Sequence, residues 1–112
     1  MLSGVLIAAT WHVPTQVPTI QEAIDAAVSG DTVLVDRGHY HQQLDYRGKA
    51  LVVRGIGGAF TTVLDGTGLP GSVVSFRNGE GRDSMLEGFE VRGGRAERGG
   101  GLYIAGASPT IR

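Results

Sequence analysis

His39-Tyr40-His41 sets two imidazoles two residues apart, on one side of an extended segment, where a divalent cation would take both if a third ligand approached. His12 is distant in sequence and no other ligand is near, so the plainer reading is two surface histidines flanking a buried Tyr40. No metal and no cofactor are expected. Three carboxylates, Asp45, Asp65 and Glu87, each follow a leucine, with Arg47 and Arg92 in range of the series. Stacked in a row, such acids gather calcium or divide into an acid and a base. The bland alternative, a solvated ladder of acids at turns, is preferred, because paired charges are often structural.

Two glycine-rich stretches resemble phosphate loops only as letters. Gly66-Thr67-Gly68-Leu69-Pro70-Gly71 has the dinucleotide spacing, but Pro70 and the run Ser72-Val73-Val74-Ser75-Phe76 read as turn and strand where a helix is required. The segment from Gly93 to Gly101 lacks the Gly-Lys-Ser/Thr ending and reads as a flexible excursion. No Ser, His and acid set has a diagnostic spacing, and with no cysteine there is no thiol nucleophile.

The elements that would position these residues are one helix and many short strands. Thr19-Ile20-Gln21-Glu22 is a capping box. Ile20, Ala23, Ile24, Ala27 and Val28 follow at helical spacing, which predicts a helix over Thr19 to Val28 closed by Gly30. Beyond Gly30 the period becomes two, in runs at Val33-Leu34-Val35, Leu51-Val52-Val53, Val73-Val74-Ser75-Phe76 and Leu102-Tyr103-Ile104. The inward positions Val35, Val53, Phe76 and Ile104 make one irregular ladder. Leu44, Leu64, Leu86 and Ile111 make a second between its rungs. Such interleaving suggests a solenoid whose stacked turns bury one another, with the register open around Phe89 to Arg92. A β-sandwich is the competing architecture.

Composition narrows the function. The 112 residues suit one domain, and 19 glycines against 4 prolines punctuate short elements rather than a helical bundle. Ten basic and 11 acidic residues leave a net charge of −1, which gives no footprint for nucleic acid or an anionic membrane. The apolar run in residues 1–10 is too short to span a bilayer and reads as a signal remnant or a cover strand.

In their order, Trp11-His12-Val13-Pro14, Pro18-Thr19-Ile20-Gln21-Glu22-Ala23-Ile24, Gly30-Asp31-Thr32-Val33-Leu34-Val35, Val63-Leu64-Asp65-Gly66 and Leu86-Glu87-Gly88-Phe89 resemble right-handed parallel β-helix proteins of the pectin-lyase-like superfamily. The resemblance implies an all-β solenoid of about three to four coils: residues 1–10 a remnant or cover strand, 11–30 an N-terminal cap with its helix, 31–112 the coils. It implies secretion or a bacterial cell surface for full-length relatives. It says little about chemistry, since that superfamily includes lyases, hydrolases and non-catalytic proteins. The expectation is a non-catalytic scaffold whose open C-terminal end stacks on another copy through Leu102, Tyr103, Ile104, Thr110 and Ile111. The rival is a secreted carbohydrate-active protein that binds or cleaves an acidic polysaccharide. It would use Asp45, Asp65, Glu87 and Arg92, with Arg54, Arg77 and Arg92 as a basic ladder.

Overall fold

The computed structural model describes residues 8–57, 61–93, 101–104 and 106–112. The fold is mostly β with one helix. In chain order the elements are β1 (Thr10–Val13), α1 (Ile20–Ala26), β2 (Thr32–Val35), β3 (Gly38–Tyr40), β4 (Leu44–Asp45), β5 (Val52–Gly55), β6 (Thr62–Asp65), β7 (Val74–Phe76), β8 (Met85–Glu87), β9 (Glu90–Arg92), β10 (Leu102–Ile104) and β11 (Thr110–Ile111).

These strands form three sheets, in the orders β1-β2-β5-β8-β11, β3-β6-β9 and β10-β7-β4, and every pairing is parallel. From β2 onward the chain visits the first, second and third sheet in strict rotation. Alternation along each strand sends one set of side chains inward. Val33, Val53 and Leu86 from the first sheet, Leu64 from the second, and Leu44, Val74 and Phe76 from the third meet in a single buried cluster. The Tyr46 ring packs on Phe76 with centroids 4.5 Å apart.

The register corrects the two ladders read from sequence. Val33, not Val35, pairs with Val53, and the column continues through Leu86 to Ile111. Phe76 and Ile104 pair with each other in the third sheet, whereas Leu64 lies in the second. A period of two identifies which residues point inward, but three faces share that period and the connections between them differ in length. The uncertain segment resolves as β9, paired with β6.

The helix starts as predicted, with the Glu22 amide donating to the Thr19 hydroxyl. It stops at Ala26, short of Gly30, and Val28 is 61% exposed rather than part of the apolar stripe. Lys49 supplies the reason. Its ammonium donates to the carbonyls of Ile24 at 2.7 Å, Asp25 at 2.9 Å and Ala27 at 2.7 Å, so it satisfies the helix end that a glycine cap would otherwise serve. α1 packs against β1, β2 and β4.

One glycine pair is required by close approach. A Cβ on Gly55 would collide with the Gly88 carbonyl, and one on Gly88, where φ is +79°, would lie 2.7 Å from the Gly55 oxygen. Here the first sheet turns its corner with no room for side chains.

Candidate functional site

An open groove of about 330 Å³ runs beside α1 along β4 and β7, lined by Gln21, Gln43, Asp45, Arg47, Ser75 and Arg77 among others. Its wall is built by side chains that stand in for strands. The Gln21 amide accepts from the Asp45 N–H at 2.8 Å and donates to the Asp45 carbonyl at 3.0 Å, closing the outer edge of β4 as a neighbouring strand would. Gln43 donates to the carbonyls of Pro70 and Ser72 and ties the loop above to the strand below.

Asp45 is already occupied. Its carboxylate accepts the Arg47 amide at 2.8 Å, which helps hold Arg47 at φ 55°, and it faces the Arg77 guanidinium at 3.6 Å. The Arg47 guanidinium in turn pairs with Asp25 at 2.8 Å. Beneath this turn the buried Glu80 carboxylate accepts the amides of Gly48 and Asn78, and the buried Tyr46 hydroxyl donates to the Met85 carbonyl. Burial, with Glu80 close by, pushes the Tyr46 phenol above its ordinary value.

A second cluster lies on the sheet of β3 and β6. His39 Nε2 is 2.8 Å from Asp65 Oδ2, and His41 Nε2 is 2.6 Å from the Thr67 carbonyl. The Thr67 hydroxyl and amide both donate to Asp65 Oδ1, at 2.5 and 2.8 Å. These Thr67 hydrogen bonds, with His39 adding to them, hold Asp65 down at about 2. Gly93 closes over the cluster so tightly that a Cβ there would strike the Thr67 amide. Because the Thr67 hydroxyl is directed to the carboxylate, the trio has an acid and an imidazole but no activated nucleophile. Tyr40 between the histidines is half-buried, not buried as expected, and donates to the Asp36 carbonyl. Among the described residues no group of three or more His, Asp or Glu side chains is placed to hold a metal.

The carboxylates singled out in the sequence are not brought together. Asp45 is in the third sheet, Asp65 in the second and Glu87 in the first. The proposed basic ladder is likewise dispersed: Arg54 pairs with Glu87 at 3.2 Å, Arg77 faces Asp45, and Arg92 pairs with Glu90. Each of these charges has a local partner, so the row of acids is replaced by separate ion pairs. Of the residues expected at a contact, Leu102, Tyr103 and Ile104 form β10 and Thr110 and Ile111 form β11, each the terminal strand of its sheet among the described residues. Residues 1–7, and residues 94–100 of the glycine-rich excursion, lie outside the described residues.

Sequence reasoning missed two joints. One is His39 with Asp65, whose only local signal was the Asp65-Gly66-Thr67 turn. The other is buried Asp31, which accepts the Ala9 amide at 2.8 Å, the Trp11 indole N–H at 3.0 Å and the Val28 amide at 3.0 Å. These hydrogen bonds, the Ala9 amide foremost, lower the Asp31 carboxyl below the usual range.

No family model, no curated protein and no solved structure matches this chain. What the geometry defines is a mostly β protein of parallel sheets about one core, with a helix against one side. Within the described residues, no helix is long and apolar enough to cross a membrane.

Proposed function

We propose that the chain is a right-handed parallel β-helix of the pectin-lyase-like kind, acting as a non-catalytic scaffold that associates with itself through the face carrying β9, β10 and β11. The rotation of the chain through three parallel sheets supports the solenoid reading, and parallel crossovers in one sheet are almost always right-handed.

The observation that carries the function is a break in burial along two inward columns. Phe76 and Leu86 are 0% and 2% exposed, whereas the next members of their columns, Ile104 and Ile111, are 46% and 40% exposed. Those two side chains have the position and chemistry of core residues, and no strand among the described residues covers them. A second copy seated on this face would cover them. Sedimentation velocity over a concentration series tests this. Reversible assembly that is abolished by Ile111→Lys, with the circular dichroism of the folded chain kept, is the expected result. A wild-type chain that stays monomeric throughout would overturn it.

A second reading is favoured by the groove beside α1, where Arg47, Arg77 and Ser75 offer donors to a hydroxyl- and carboxylate-bearing saccharide. Titration with uronate oligomers, followed by chemical shifts at Ser75 and Arg77, tests it. Unchanged shifts at saturating ligand would remove this reading.

A further inference from the structure

Asn78, the single asparagine of the chain, is followed by Gly79, so the next amide nitrogen can close on the side-chain carbonyl with no Cβ in its way. Asp65-Gly66 has the same spacing. The fold separates the two pairs. The Gly66 amide donates to the Arg92 carbonyl at 2.8 Å, and Asp65 Oδ1 accepts the Thr67 hydroxyl and amide. Asp65 is held as an ionised carboxylate, which offers no leaving group, beside a nitrogen already bonded to β9. At Asn78 neither group is held in this way. Arg77, Asn78 and Gly79 are exposed, and the Gly79 amide makes no hydrogen bond among the described residues. Around Gly79, where φ is +80°, a Cβ would meet nothing within 4 Å. The Asn78 carboxamide has one partner, Asp45 Oδ1 at 3.5 Å, the outer limit of a hydrogen bond. The main chain around the pair is anchored, since the Asn78 amide donates to the Glu80 carboxylate at 2.8 Å and the Ser108 amide to the Glu80 carbonyl at 2.7 Å. Nucleophile and electrophile therefore stay neighbours in the folded chain.

We propose that Asn78 is a site of self-modification, converted in the folded chain to aspartate and isoaspartate with water as the co-reactant. The Gly79 nitrogen, its proton taken by base, forms a bond to Asn78 Cγ. The Cγ–Nδ2 bond breaks and ammonia leaves, which gives a cyclic imide. Water then opens the ring: cleavage of the bond from nitrogen to Cγ gives aspartate, and cleavage of the bond from nitrogen to the main-chain carbonyl carbon gives isoaspartate. Either route takes up water and releases ammonia with no change of oxidation state. The two products differ in consequence. Isoaspartate routes the main chain through Cβ and Cγ and lengthens it by a methylene. The buried Glu80 carboxylate bridges the Asn78 and Gly48 amides at 2.8 and 2.9 Å, so a longer link after residue 78 draws these anchors apart. That loosens the turn beside Arg77, a residue of the groove wall. Aspartate keeps the length of the chain and only sets a second carboxylate beside Asp45.

The test incubates the folded chain over a series of pH values and follows free ammonia, with peptide mapping by fragmentation mass spectrometry to separate aspartate from isoaspartate. Conversion at Asn78 with matching ammonia release is expected, at a rate that rises with pH because the attacking nitrogen must lose its proton. The same chain unfolded in urea sets the reference. The folded rate should lie within about tenfold of it, since no hydrogen bond has to break before the ring closes. Asn78→Gln, which would have to close a larger ring, should keep its mass over the same period. A folded rate lower than that, or ammonia traced to the glutamines, would overturn the site. For the consequence, the isoaspartate form is separated by chromatography and compared with Asn78→Asp in urea denaturation. The isoaspartate chain should unfold at the lower urea concentration. Equal midpoints would overturn the loosening of the Glu80 turn while the modification itself stands.

Discussion

The ammonium of Lys49 lies 2.7 Å from the carbonyl oxygen of Ile24, joining the turn before β5 to the last turn of a helix 25 residues earlier in the chain. The same nitrogen also reaches Asp25 and Ala27, so one cation completes the end of α1 and fixes the helix on the sheets.

Replacing Lys49 by Met keeps most of the aliphatic stem and removes all three hydrogen bonds. A loss of about 1.5–3 kcal/mol is expected, the range for hydrogen bonds that involve a charged group. Urea denaturation measures it, and a change within about 0.5 kcal/mol, the scatter of ordinary surface substitutions, would show that the helix end is satisfied by water instead.

Asp31 makes stability depend on pH. Its folded pKa is depressed, so its contribution is complete above the unfolded carboxylate value of about 3.9 and is lost as pH falls through the folded value. Asp31→Asn should flatten the acid limb of the stability curve. It should also cost about 2–3 kcal/mol at neutral pH, because an amide cannot accept from all three donors. Trp11, the single tryptophan, reports both through its fluorescence. An acid limb as steep in the variant as in wild type would refute the assignment.

Gly88 and Gly30 separate two costs of losing a glycine. Both have positive φ, but a Cβ at Gly30 meets nothing within 4 Å, whereas at Gly88 it meets the Gly55 backbone. Gly30→Ala should cost about 1 kcal/mol, from conformation alone. Gly88→Ala should cost more than about 2 kcal/mol, as steric strain is added. Equal thermal shifts for the two variants would contradict the close approach.

Asp65 should titrate at about 2 when followed by carboxyl carbon chemical shift. The two Thr67 hydrogen bonds outweigh the imidazole, so His39→Ala should leave the value well below the ordinary carboxylate range. Thr67→Val, which deletes the hydroxyl donor, should raise it further than His39→Ala does. The reverse order would make the His39 pair the dominant interaction.

Much of the fold was legible because it follows from local patterns. Thr19 and Glu22 announce the start of α1, and the strands at Val33, Val53 and Phe76 fall where the period-two runs lie. The helix end was not legible, since the group that replaces a glycine cap comes from Lys49. The candidate site was less visible still. Asp45, Asp65 and Glu87 share a sequence context, a leucine followed by an acid, yet occupy three sheets because the connections between strands differ in length.

By itself, then, the sequence determined which side chains point inward, where the one helix begins, and that short strands rather than helices make up the body. Backbone propensity, capping and side-chain alternation act over a few residues and leave their mark in neighbouring letters. Only the tertiary structure decided which strands are neighbours, and hence that His39 meets Asp65, that Trp11 meets Asp31, and that Arg54 is matched by Glu87. Those pairings depend on connections that carry the chain from sheet to sheet, and no local pattern records where a connection of variable length will return.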